Sequence, residues 1–158
     1  MQDELLGPRE PQFETQEGQH PLIPQAIIVD LDSTLALLGS RSPHDYDSVM
    51  EDKVNGVVYR LIMKYKRDNY KILIVTGRPI SCADNTMAWL NMNHIPCDLL
   101  VMRPHGEKSP DYIVKHKIYE QFIEGKYDVE LVLEDRTRVV KRWREIGLTC
   151  FQVKEGDY

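Results

Sequence analysis

"QAIIVDLDSTLA", residues 25–36, opens on an apolar run from Ala26 to Val29 and passes straight into Asp30 and Asp32, with Ser33 and Thr34 behind. A short, nearly continuous apolar run marks a strand covered on both faces. Residues two apart in an extended chain point to one side, so the two carboxylates address the same small object. Adjacent carboxylates repel unless a cation or a proton lies between them. Taken alone, the stretch also reads as a turn, since Asp and Ser are favoured there. Deciding between the two needs the rest of the chain.

Further strand signals follow at "KILIVT" (71–76), "DLLVM" (98–102), "VELVLE" (129–134) and "TCFQV" (149–153). Helical periods lie between them. Val54, Val57, Val58, Leu61, Ile62 and Tyr65 recur at helical spacing, and "CADNTMAWLNMN" (82–93) forms a second helix. "SPDYIVKHKIYEQFIEG" (109–125) starts with Ser109 as N-cap and Pro110 at the first helical position, and stops at Gly125. Its inward face comprises Val114, Ile118, Tyr119 and Phe122, with Lys115 at the centre and Lys117 nearly opposite. Val139, Val140, Trp143 and Ile146 stripe a last helix that Gly147 ends. Strands alternating with helices predict an α/β fold with a doubly wound, mostly parallel, Rossmann-like sheet over residues 25–158. Ligands bind beyond the carboxyl ends of such strands, where Asp30, Asp32, Thr76 and Asp135 fall.

The chemistry at those ends is coherent. "LVLEDR" adds Glu134 and Asp135, so several carboxylates converge on one mouth and make an oxygen-ligand site suited to magnesium. "IVTGRP" supplies the Thr76 hydroxyl, a permissive Gly77 and the Arg78 guanidinium, a set that suits an oxyanion. Lys115, facing the core, requires a partner, and an active-site carboxylate would serve; Asp111 lies one turn earlier on the same side. Together these groups match phosphoryl transfer by an aspartate nucleophile: one carboxylate attacks, and its neighbour protonates the leaving alcohol and then activates water.

Composition sets limits. The 158 residues are 42% hydrophobic and 28% charged, ordinary for a globular domain, and no segment approaches the about 20 apolar residues of a membrane span. Residues 1–24, rich in Pro, Gln, Glu and Gly, read as a flexible tail without a secretion signal, so a cytoplasmic setting is expected. Five of the acids lie in that tail against Arg9 alone, which leaves only −1 of the formal −5 for the body. "RTRVVKRWR" (136–144) carries five basic residues and no acid. It is either a contact for polyanion phosphates or a solvated helix face. Cys82, Cys97 and Cys150 are widely spaced and form no CxxC pair, so reduced thiols are expected.

The order "DLDST … TGR … K … EDR" resembles the haloacid-dehalogenase-like (HAD) phosphatase superfamily. The resemblance implies Asp30 as nucleophile, Asp32 as acid/base, Thr76 and Lys115 on the phosphoryl group, and magnesium on Asp30, the Asp32 backbone carbonyl and Asp135, with Glu134 beside them. At finer grain, "GSRSPHDYD", "PDYIVKHKIY" and "VLEDRTRVVKRWREIGLTCFQVKEGDY" are similar to the phosphatase domain of phage-type polynucleotide kinase/3′-phosphatase. That similarity implies Arg41 and Arg78 as the grip on the scissile phosphate and Asp111 as the acid ahead of the lysine. Ser33 stands where the family usually has Gly, and Glu134-Asp135 replaces tandem aspartates. Between the motifs, residues 35–70 hold one loop and one helix, and 79–108 one helix and one strand, which leaves no room for a large cap domain. An open mouth admits a nucleic-acid end. No GxxxxGK[ST] occurs, so the expectation is a phosphatase alone or a fragment of a bifunctional protein. The implied substrates are 3′-phosphorylated DNA or RNA ends, in a bacterium or a phage-infected cell. A homo-oligomer and a separate kinase or ligase in the same repair pathway are compatible with the resemblance. The alternatives are a nucleotide or other small-molecule phosphatase of the same fold, and an inactive binding module.

Overall fold

Ala26, Ile27, Ile28 and Val29 form most of β1 (Gln25–Val29), and all four are buried. The structure, a computed structural model, describes residues 22–157. β1 is the central strand of a five-stranded sheet with β4 (Lys71–Pro79), β5 (Leu99–Arg103), β6 (Asp128–Glu134) and β7 (Cys150–Gln152), in the order β5-β4-β1-β6-β7. Every pairing in it is parallel. Helices α1 (Gly56–Arg67), α2 (Ala83–Met92), α3 (Asp111–Phe122) and α4 (Thr137–Glu145) connect the strands.

The alternation of side chains along each strand builds two cores. Ile27, Val29, Ile72, Ile74, Leu131 and Leu133 pack with Val58 and Ile62 of α1 and with Trp89 and Leu90 of α2. Ile28, Leu73, Val75 and Val132 pack on the other side with Val114 and Ile118 of α3 and with Val139, Val140 and Trp143 of α4. The sheet is therefore covered on both faces, as near-continuous apolar strands require. Because every strand runs the same way, their carboxyl ends form one mouth.

Several local expectations are corrected. Residues 35–70 hold more than a loop and a helix: β2 (Ala36–Leu37) and β3 (Lys53–Val54) pair antiparallel, and a short 3-10 turn spans Val49–Glu51. Val54 thus belongs to β3, and Val57, in the first turn of α1 where Asn55 caps the helix, is 69% exposed. α3 starts at Asp111 with Pro110 in the N-cap position. Ser109 does not cap it, since its N–H donates to Glu107 and its carbonyl accepts from Arg103. Phe122 is left 38% exposed while Ile123, at the end of α3, is fully buried and takes the core position. Among the described residues no large cap is inserted. The tail expected over 1–24 lies almost wholly outside the described residues; at its inner end the Pro24 carbonyl accepts from Asp128 N–H at 3.0 Å. Among the described residues no helix is long and apolar enough to cross a membrane. All three cysteines are free thiols.

Candidate active site

The site starts where β1 ends. Asp30 N–H still donates to Leu133 of β6 at 3.0 Å. The chain then curls, with the N–H groups of Thr34, Leu35 and Ala36 all donating to the Leu31 carbonyl at 2.8–3.0 Å. The curl carries Ser33 through the left-handed region at φ +67°. It also turns the Thr34 hydroxyl onto Asp135, to which it donates at 3.2 Å. Neighbouring strand ends are thereby tied together around Asp30.

One charge cluster surrounds Lys115. Its ammonium donates to Asp30 Oδ1 and to Glu134 Oε2, each at 2.7 Å, and lies 3.5 Å from Asp111 Oδ2. Burial alone would lower the Lys115 pKa, but Asp111, Asp30 and Glu134 reverse this and keep it charged well above the ordinary lysine range. Burial pushes the Asp30 carboxyl well above the usual carboxylate range, and the Glu134 charge adds to the rise. Glu134 is also raised by burial, against the pull of Lys115; its other oxygen accepts the N–H groups of Asp135 and Arg136 at 3.1 and 3.2 Å. Asp111 moves the other way: burial opposes its ionisation, yet Lys115, Arg136 and Arg103 hold it below the usual range. Asp30, Glu134 and Asp135, all buried, bring one carboxylate oxygen each within 4.8 Å of the others. An all-oxygen donor set of this kind fits a hard divalent cation.

The second cluster forms around Asp32. Arg78 donates to it through Nη2 at 2.6 Å and through Nε, and Arg41 through Nη2 at 2.9 Å. Both guanidiniums also hold Asp52, a residue the sequence reading did not single out. Arg41 forks onto it at 2.6 and 2.7 Å and Arg78 reaches it at 3.1 Å. The Asp52 side chain is fully buried, and its backbone carbonyl accepts from Trp89 Nε1 at 2.9 Å. The remaining donors of Arg41 go to the carbonyls of Ser42 and Asp45, and Arg78 Nη1 goes to Thr86. Asp32 keeps a quarter of its side chain exposed, while the arginines behind it do not.

Both clusters open into one cavity of about 770 Å³ lined by Asp30, Asp32, Arg41, Thr76, Gly77, Asp111, Glu134 and Asp135. Arg78 and Lys115 stand behind that lining. The Thr76 hydroxyl accepts from Arg78 N–H at 3.2 Å. Gly77 has a steric reason: a Cβ there would run into the Asp111 carboxylate. Arg103, at the end of β5, clamps the same corner through Gly77 O at 3.1 Å and Asp111 at 3.3 Å. Beyond β7 the chain returns to the mouth. Thr137 N–H donates to Gly156 O at 2.9 Å, Lys154 lines the cavity, and a Cβ on Gly156 would come within 2.6 Å of Asp135 O. Of the stretch 136–144, only Arg136 reaches the cavity. Lys141 and Arg142 pair with Glu145, and Arg144 donates to Cys150 O.

The sequence-predicted residues thus assemble around one mouth. Asp30, Lys115, Asp111, Glu134 and Asp135 form one group, and Asp32, Arg41 and Arg78 the other. The reading missed Asp52, Arg103 and the Lys154–Gly156 return. An acid just ahead of a helical period was the available signal for Asp52; the other two gave none.

Known proteins resemble this chain in sequence and in fold. Residues 24–158 match the family of polynucleotide kinase (PNKP) phosphatase domains, of HAD type. A candidate bifunctional polynucleotide kinase/RNA ligase of Autographa californica nuclear polyhedrosis virus is 35% identical over 135 residues, covering 82% of this chain and 19% of that protein. A chain of the Pnkp1/Rnl/Hen1 RNA repair complex superposes with a TM-score of 0.85 at 37% identity, over 89% of this chain and 46% of that one. This chain therefore spans under half the length of either relative. D,D-heptose 1,7-bisphosphate phosphatase of B. bronchiseptica, solved with magnesium and phosphate, shares the fold at a TM-score of 0.55 and 16% identity, over 81% of this chain and 79% of that one.

Proposed function

Because this chain belongs to the family of polynucleotide kinase phosphatase domains, we propose that it is a magnesium-dependent polynucleotide 3′-phosphatase. The observation that carries the proposal is the separation of roles at the mouth. Asp30 is held by a buried lysine within an acidic cluster, while Asp32, two residues on, is held by arginines and faces the cavity.

Asp30 Oδ attacks the terminal phosphorus, the bond from phosphorus to the 3′ oxygen breaks, and Asp32, carrying the proton it took from water in the preceding turnover, gives that proton to the 3′ oxygen. Asp32, now a carboxylate, takes a proton from water. The water oxygen attacks the phosphorus of the aspartyl phosphate, which releases inorganic phosphate and restores Asp30. Lys115 sits against Asp30 throughout and offsets the charge gathered on the phosphoryl oxygens. Asp30, Glu134 and Asp135 would hold the magnesium, joined on the family's pattern by the Asp32 carbonyl. When bound, the ion would supply further neutralisation of the phosphate. RNA ends are the first substrate to test, since both relatives carry RNA in their names.

The test is phosphate release from 3′-phosphorylated RNA and DNA oligonucleotides, 5′-phosphorylated controls and nucleoside monophosphates, with magnesium and with chelator. The expected result is magnesium-dependent release from 3′ ends, at least 1,000-fold slower in Asp30→Asn, on the order of what loss of a nucleophile costs. Release from monophosphates with none from oligonucleotides would return the chain to small-molecule chemistry. Equal inactivity of wild type and Asp30→Asn would make it a binding module.

A further inference from the structure

A polynucleotide presents more than one phosphate, so the cations at the mouth divide into those already neutralised and those left over. The deep ones are engaged. Lys115 holds Asp30 and Glu134, and Arg41 and Arg78 hold Asp32 and Asp52. Arg103 is spent on Asp111 and on the carbonyls of Gly77, Glu107 and Ser109. Lys108 and Lys154 differ. Both line the cavity, both are exposed, and among the described residues neither has an ion pair or a side-chain hydrogen bond.

Their places in the fold give the pair its meaning. Lys108 lies in the connection leaving β5, and Lys154 in the segment leaving β7, and these are the two edge strands of the sheet. Asp30 leaves β1, the middle strand. The two free ammonium groups thus reach the cavity that holds Asp30 from two separate loops. The basic face of α4, whose Lys141, Arg142 and Arg144 are engaged locally, does not.

We propose that Lys108 and Lys154 form a strand-binding subsite for the internal phosphodiesters of a polynucleotide whose 3′-terminal phosphate reacts at Asp30. The inference rests on the 3′-phosphatase reading and specifies its substrate as a polymer whose internal phosphates are held as well as its 3′ end. Each lysine is a point contact to phosphate without base readout, so the subsite is indifferent to sequence.

The test compares wild type with the Lys108→Ala/Lys154→Ala double variant. The ratio of kcat/KM on a 3′-phosphorylated decanucleotide to that on a nucleoside 3′-monophosphate is followed from 50 to 200 mM salt. The same decamer is also titrated by fluorescence anisotropy. In the double variant the ratio is expected to fall about tenfold at the lower salt. The slope of log affinity against log salt should flatten by about 1.4, from two single-strand contacts at about 0.7 each. An unchanged ratio and slope would overturn the subsite while leaving the phosphatase standing. If wild type hydrolyses neither substrate, the phosphatase reading fails, and anisotropy alone decides: a flattened slope supports the subsite and an unchanged one removes it.

Discussion

Ser33 sits at φ +67°, in a conformation that costs an L-residue with a Cβ about 1–2 kcal/mol. The curl after β1 demands it, because Ser33 N–H must reach the Ala36 carbonyl at 2.8 Å while Asp32 turns towards the arginines. A glycine would meet this demand without strain, so the serine, expected from sequence to matter little, is more than a neutral exchange. Ser33→Gly is expected to stabilise the fold by about 0.5–1 kcal/mol, the relieved strain less the added chain entropy. Thermal denaturation should register this as a rise of a few degrees. Position was legible before the structure where a pattern fixed it: Asp30 at the carboxyl end of β1, and Lys115 on the inward face of α3. The curl after Asp30 was not, and it sends Asp32 to the arginines rather than leaving the two carboxylates on one object. Phase alone misjudged Phe122, because α3 ends there and Ile123 swings into the core instead.

At the level of elements, Asp52 is a junction. It precedes β3, and it binds Arg41 from the loop after β2, Arg78 from the end of β4 and, through its carbonyl, Trp89 of α2. Removing its charge leaves two buried guanidiniums to share Asp32. Asp52→Asn is expected to cost about 3 kcal/mol, in the range for breaking one partner of a buried ion pair, measured as a shift in the urea midpoint. The Arg78→Met/Asp52→Asn pair should cost less than the sum of the single changes. The strands of the main sheet were readable because buried parallel strands are continuous apolar runs. β2 and β3, two residues each, are too short to carry any period, and the part of the site they organise stayed hidden with them.

For the molecule as a whole, burial raises the Cys97 thiol from 9.0 to about 11 and the Cys150 thiol from 9.0 to about 12. The tyrosines Tyr46, Tyr65 and Tyr119 are also raised by burial. The unfolded chain releases these protons at lower pH than the folded one. Their contribution to stability is therefore complete below about pH 9 and drains away as pH rises through 11 and 12. Urea midpoints at pH 8 and pH 10.5 should differ accordingly, and Cys150→Ala should narrow the gap. The mouth also gathers distant parts of the chain that no local pattern joins, which is why the return of Lys154 to Gly156 was unreadable from sequence. That return has a mechanical side. Gly156 lies flush on the backbone of Asp135 and its carbonyl is fastened to Thr137. A pull or a twist delivered at residue 157 would be passed to Asp135 within a single step, so tension there would disturb one member of the buried acidic trio well before the sheet itself gave way.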